Sequence, residues 1–172
     1  MTGDDAAIKR LVAESAINRL LALYADAAWR LDADAAADLY AEDGEWKVAG
    51  RHFTGREAVR AAFAQLLAAN ARVRFIAGTP LLEINLEAGT ATGRLPVTEL
   101  VKARDGAARM NLGIYYDWYV REETRWRFRR RHFAMHYRGP VDFSGDLAAC
   151  PDHGPPPGLP GLDEPAYINT PA

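Results

Sequence analysis

Three residues of this chain are suited to the chemistry of a proton transfer, His132, Asp117 and Tyr24, and four to holding what is acted on: Arg74, Tyr115, Trp29 and Arg130. An imidazole titrates at about pH 6.5, which suits general acid–base work near neutrality. Period-two alternation puts Asn111, Gly113, Tyr115, Asp117 and Tyr119 on one face of a strand, and Trp126, Phe128, Arg130 and His132 on one face of the next. If those faces meet, Asp117 pairs with Arg130 across the strands and orients His132. A cross-strand ion pair serves structure as readily as chemistry, and the same holds for a histidine near a strand end. Tyr24 is either a core tyrosine or a hydrogen-bond donor to a substrate carbonyl or enolate oxygen. Trp29 offers core packing or a flat platform for a planar ligand. Arg74 stays protonated, so it cannot be a base. Facing inward it would bind a carboxylate or oxyanion; one residue of slip in register would turn it to solvent. Arg125, Arg127, Arg129 and Arg131 share the other face and read as a solvated surface or subunit contact. His52 and His136 have no evident partner. No spacing among the histidines and Cys150 matches a metal site, and phosphate loops and nucleophile elbows are missing, so no metal and no cofactor are expected.

The elements that must position these groups fall into two runs. From Asp4 to Leu31, apolar residues Ile17, Leu20, Leu21, Tyr24, Ala28 and Leu31 recur at helical spacing. Asp32 or Asp34 caps a short second helix running towards Tyr40 and stopped by Glu42-Asp43-Gly44. A small hairpin, Glu45–Val48 with Arg51–Phe53, comes next. Thr54-Gly55-Arg56-Glu57 has capping-box spacing and opens a third helix with Val59, Phe63 and Leu66 inward. From Val73 the period becomes strand-like. Four long strands are predicted, near 73–85, 90–103, 109–121 and 125–137, joined by short Gly- or Asp-Gly-containing links of the hairpin kind. Helices first and an antiparallel meander after make an α+β order. A strongly curved sheet with three N-terminal helices in its concave face would enclose a cavity. Eight of the ten prolines lie from Pro140 onward, so residues 139–172 read as an extended arm or a disordered tail, set apart from a domain over 1–138.

A chain of 172 residues with 49% hydrophobic and 26% charged residues fits one globular domain. A net charge of −2 argues against a general nucleic-acid binder. No membrane-length apolar run or basic–apolar leader is seen, and the single Cys150 forms no internal disulfide, so a cytoplasmic location is expected.

The chain resembles the SnoaL-like branch of the nuclear-transport-factor-2-like superfamily over about residues 8–137. The resemblance is carried by Tyr24-Ala25-Asp26 followed by Asp32, by Leu39-Tyr40-Ala41-Glu42-Asp43-Gly44-Glu45-Trp46 and by Gly55-Arg56-Glu57-Ala58-Val59. Arg74-Phe75-Ile76-Ala77-Gly78-Thr79, and Tyr116-Asp117 ahead of Trp126-Arg127-Phe128, complete it. It implies a cone-shaped α+β barrel with a small-molecule pocket between the long sheet and the first helix. In dehydratase relatives a Tyr and an Asp on that helix and a His on the first long strand carry the chemistry. Tyr24 matches the Tyr, but the Asp position falls on Trp29 and the His position on Arg74.

The expected function is therefore a cofactor-free lyase or isomerase, of dehydratase or cyclase type, acting on a hydrophobic oxygenated small molecule. His132 and Asp117 would move the proton, Tyr24 and Tyr115 would hold the enolate oxygen, and Arg74 would orient the anion. The alternatives are a non-catalytic binding or assembly module and a partner subunit of a larger oxygenase. A homodimer or homotrimer is expected, without nucleic-acid or membrane partners.

Overall fold

The structure is a computed structural model and describes residues 3–145. Three helices, α1 (Gly3–Arg30), α2 (Ala33–Ala37) and α3 (Arg56–Ala68), pack on one sheet of seven strands. These are β1 (Tyr40–Val48), β2 (Arg51–Thr54), β3 (Asn70–Ala77), β4 (Leu81–Asn85), β5 (Thr90–Ala103), β6 (Ala108–Glu122) and β7 (Arg125–Gly139). The sheet runs β2-β1-β7-β6-β5-β3, with β4 also paired to β5. It curls round α1 into the α+β cone expected from the order of elements. The core between helix and sheet is formed by Ile17, Leu20, Tyr24, Val59, Phe63, Phe75, Leu95, Tyr115 and Phe128, all buried.

α1 ends because Leu31 enters the left-handed region at φ 56, and the amides of Leu31 and Asp32 turn back onto the carbonyls of Ala28 and Ala27. Asp32 then caps α2, its side chain accepting from Ala35 N at 2.9 Å. The predicted second helix forms but stops at Ala37, and residues from Tyr40 join β1, so its expected last residues belong to a strand. The physical reason is pairing: Tyr40 lies against Phe128 on β7 and has a place in the sheet. That pairing is parallel, in an otherwise antiparallel sheet. The expected capping box does not form. Gly55, at φ 89, is the N-cap of α3 and makes no side-chain cap bond.

The predicted strand over 73–85 is two strands, β3 and β4, separated by Gly78-Thr79-Pro80. Pro80 has no N–H for a ladder, and Gly78 N instead donates to Pro96 O at 2.9 Å. Both pieces pair with the same long β5. The expected proline-rich arm lies mostly outside the described residues. Its first turn is held by Tyr137, whose hydroxyl donates to Pro140 O at 2.6 Å and accepts from Gly145 N at 3.1 Å.

Candidate functional site

The register of β6 on β7 decides which groups meet inside the cone. β6 alternates without a break, so Asn111, Gly113, Tyr115, Asp117 and Tyr119 share the inner face, as the sequence pattern predicts. On β7 the pairing shifts between Trp118↔Arg130 and Tyr119↔Phe128, which leaves Arg129 as an extra residue. The bulge reverses the faces of β7. Trp126 and Phe128 point inward before it, and Arg131 and Phe133 point inward after it.

The consequence is a correction to the expected pair. Asp117 meets Arg131, not Arg130: Nε donates to Oδ1 at 2.8 Å and Nη2 to Oδ2 at 3.0 Å. Both side chains are fully buried. The Tyr119 hydroxyl donates a third bond to Asp117 Oδ2, at 3.0 Å. Arg130 lies on the outer face, forking onto Glu45 at 3.1 and 3.2 Å and stacking over Trp118. His132 lies on that outer face too, buried edge-on against Trp118 with ring centroids 5.7 Å apart. The expected His132–Asp117 dyad therefore does not form, because the two side chains stand on opposite sides of the sheet. The four-arginine face is likewise broken: Arg131 is internal, while Arg127 and Arg129 bond the carbonyls of Asp38 and Asp43.

Around Arg131 the cone supplies aromatic faces. Its Cζ lies 3.9 Å from the Tyr115 ring centroid, 4.1 Å from Phe128 and 4.2 Å from Tyr24. A guanidinium is tolerated in such a dry place because a forked carboxylate pairs it and ring faces cover the rest. Burial pushes the Asp117 carboxyl up, and Arg131 and the Tyr119 hydroxyl pull it back down. Burial lowers Arg131, but Asp117 and the surrounding tyrosines outweigh that and hold it more firmly protonated than usual. Two short bonds from a fixed fork to both carboxylate oxygens are the geometry of an ionised pair.

Tyr24 sits on the inward stripe of α1, its ring edge-on to Phe63, Phe75, Tyr115 and Phe128. Its hydroxyl lies 3.3 Å from that of Tyr115. Burial raises both phenols well above their ordinary value, so both keep their protons and remain donors. Trp29 and Arg74 are elsewhere. Trp29 is 48% exposed at the end of α1, and Arg74 reaches it from the edge strand β3, Cζ 5.8 Å from the ring. Arg74 pairs with Leu100, on the face opposite Phe75 and Val73. The register turns it out of the cone, so its expected inward position is also corrected.

The hollow anticipated inside the cone is filled at the level of Tyr24 by these rings. A recess of about 750 Å³ opens instead beside the N-terminal half of α1, walled by Ile8, Val12, Ala16, Leu86, Arg121 and Trp126. Its walls are mainly apolar and it contains none of the paired polar groups.

Sequence reasoning missed Arg131 and Glu99. Glu99 is on the inner face of β5, opposite Asn111 and Phe75. Asn111 Nδ2 donates to its Oε2 at 3.0 Å, and burial raises its carboxyl. Among the described residues no cluster of His, Cys, Asp and Glu could hold a metal, and no helix is long and apolar enough to cross a membrane.

A helix-filled, curled sheet with a buried charge pair and facing tyrosine hydroxyls at its centre defines the class of cone-shaped α+β pocket folds. Within it, the chain belongs to the family of SnoaL-like domains, whose profile it matches over residues 9–132. Solved structures agree on the fold. A provisionally assigned scytalone dehydratase from Novosphingobium aromaticivorans superposes with a TM-score of 0.73 at 18% identity, over 90% of this chain and 99% of that one. Hexachlorocyclohexane dehydrochlorinase LinA-type3 from Novosphingobium barchaimii gives 0.71 at 19% identity, over 84% and 99%. The β subunit of a provisionally assigned aromatic-ring-hydroxylating dioxygenase from N. aromaticivorans gives 0.64 at 18%, over 73% and 90%. At these identities the likeness is one of fold alone. Among curated proteins no significant sequence match is found.

Proposed function

We propose that this chain is a cofactor-free lyase or isomerase that moves a proton on a hydrophobic, oxygenated small molecule. One observation supports this above the others. The Tyr24 and Tyr115 hydroxyls are fixed against each other in a ring-lined interior beside a buried, protonated Arg131. Donors held in a water-poor site stabilise an enolate oxygen far better than water does, because they need no reorganisation as charge develops. Asp117 then acts as a positioning residue, keeping Arg131 charged and aimed. A proton acceptor must reach the inner face, which excludes His132. Two structural neighbours, a provisionally assigned scytalone dehydratase and a hexachlorocyclohexane dehydrochlorinase, bear names that denote loss of water or of hydrogen chloride, which fits this class of chemistry.

The test is binding of β-naphthol, a planar phenol that mimics an enolate, followed by quenching of tryptophan fluorescence. Saturable binding is expected, weakened about tenfold by Tyr24→Phe or Tyr115→Phe, as loss of one hydrogen bond implies. Binding unchanged in both variants would remove the tyrosines from the site.

A second reading is supported by the outward Trp29 and Arg74. The positions that carry acid–base chemistry in dehydratase relatives hold no base here, and the open recess lies along α1. In that reading the cone is a binding or assembly module, and β-naphthol quenching would respond to Val12→Asp in the recess and not to Tyr24→Phe.

A further inference from the structure

We propose that Glu99 is the carboxylate that takes and returns the proton in this site, an inference that rests on the proton-transfer reading above. Of the acids on β5, β6 and β7, Asp117 and Glu99 face inward, and they differ in what they can do. Asp117 accepts three hydrogen bonds and has no exposed surface. Accepting a proton there would break the fork to Arg131 and strand a buried guanidinium. Glu99 accepts one bond, from Asn111 to Oε2, and its Oε1 takes none among the described residues.

Glu99 also stands where the interior can be reached. Its inner-face neighbours Phe75, Asn111 and Phe133 are buried, whereas Glu99, Arg109 and Met135 each keep part of their surface exposed to solvent. The groups facing it are set by register and charge. Asn111 and Arg109 come from β6, Phe75 from β3, and Arg131 from β7; Tyr24 of α1 and Tyr115 of β6 lie within its electrostatic reach. The half-buried carboxylate thus shares the interior of the cone with the two phenols and with Arg131. Burial raises the carboxyl, and a base so raised is a stronger proton acceptor near neutrality than an exposed glutamate.

The step balances without a co-reactant. Glu99 takes a proton from the carbon next to a substrate carbonyl. The C–H electron pair becomes a C=C bond, and the carbonyl π pair moves to oxygen, which accepts from Tyr24 or Tyr115. In a β,γ-unsaturated ketone the oxygen pair re-forms the carbonyl, the double bond moves to the α,β position, and the protonated Glu99 returns the proton to the γ carbon, giving the conjugated isomer. Where a β-hydroxyl is the leaving group, the proton goes to that oxygen and water departs. Asn111 keeps Oε2 fixed and leaves Oε1 to act.

The experiment follows conversion of a β,γ-unsaturated cyclohexenone to its conjugated isomer by absorbance, with deuterium uptake from D2O read by NMR. Wild type, Glu99→Gln and Glu99→Asp are compared across pH, with thermal melts of each. The expected result is turnover by wild type, a loss of about 100-fold in Glu99→Gln, and partial recovery in Glu99→Asp. The rising limb of the wild-type pH profile, set by ionisation of the free carboxyl, is absent from Glu99→Gln. Turnover and deuterium uptake undiminished in a folded Glu99→Gln would overturn the role of Glu99 and leave the proton-transfer reading standing. Neither isomerisation nor exchange by the folded wild-type protein would overturn both.

Discussion

The Arg131–Asp117 pair shows how a residue's surroundings fix its chemistry. Removing one partner leaves a buried charge alone, so Arg131→Met or Asp117→Leu is expected to destabilise by about 3–5 kcal/mol, whereas the double variant should recover most of the loss. Urea unfolding of the four proteins checks this; additive losses would mean the two charges are not coupled. Glu99 gives a pH prediction of definite sign. Its carboxyl is raised in the folded state by burial, so the fold binds that proton more tightly than the unfolded chain does. The associated stability is therefore complete below the unfolded carboxyl value, about 4.3, and is lost as pH rises through the folded one. Glu99→Gln should be more stable than wild type at neutral pH, and the difference should vanish in acid. Melting temperatures from pH 4 to 8 measure it, and a Glu99→Gln protein less stable than wild type at neutrality refutes it.

At the scale of the element, β7 carries the argument. Its aromatic residues record the face reversal in sequence: Trp126 and Phe128 fall on even positions, Phe133 on an odd one, and all three are buried in one core. Strict alternation cannot put positions 128 and 133 on the same face, so an extra residue between them is required. The run Arg129-Arg130-Arg131 hides where it sits, since all three side chains are alike. Deleting Arg129 removes only the extra residue and leaves Phe128, Arg130 and Arg131 in unbroken register against Tyr119, Trp118 and Asp117, so the deletion variant is expected to keep a cooperative melt by circular dichroism, and loss of that melt would mean Arg129 is not the extra residue. Gly113 is the second device on this ladder. A Cβ there would lie 2.3 Å from the Ala134 carbonyl oxygen and 2.6 Å from the Phe133 ring, which lies over the glycine. Gly113→Ala should therefore destabilise by about 1–3 kcal/mol, read as a lower urea midpoint.

The whole molecule is a single core shared by α1 and the curled sheet, and Tyr24 is the side chain on which they meet. Tyr24→Ala should destabilise by about 3–5 kcal/mol, with helix and sheet signals still melting together in one transition; separate transitions would mean helix and sheet are independent units. The sequence by itself determined the order of elements, the inward stripe of α1, the alternation of β6 and the family, because these depend on periodicities of a few residues that local chain geometry imposes. It did not determine where helix gives way to strand at Tyr40, since that depends on β7 offering a parallel edge from far along the chain. Nor did it determine which arginine meets Asp117 or that Arg74 faces out. A side chain's face follows from the parity of its position relative to every bulge and edge in the sheet, and one inserted residue inverts it. Tertiary pairing alone settles that parity, and with it the set of charges that share the interior.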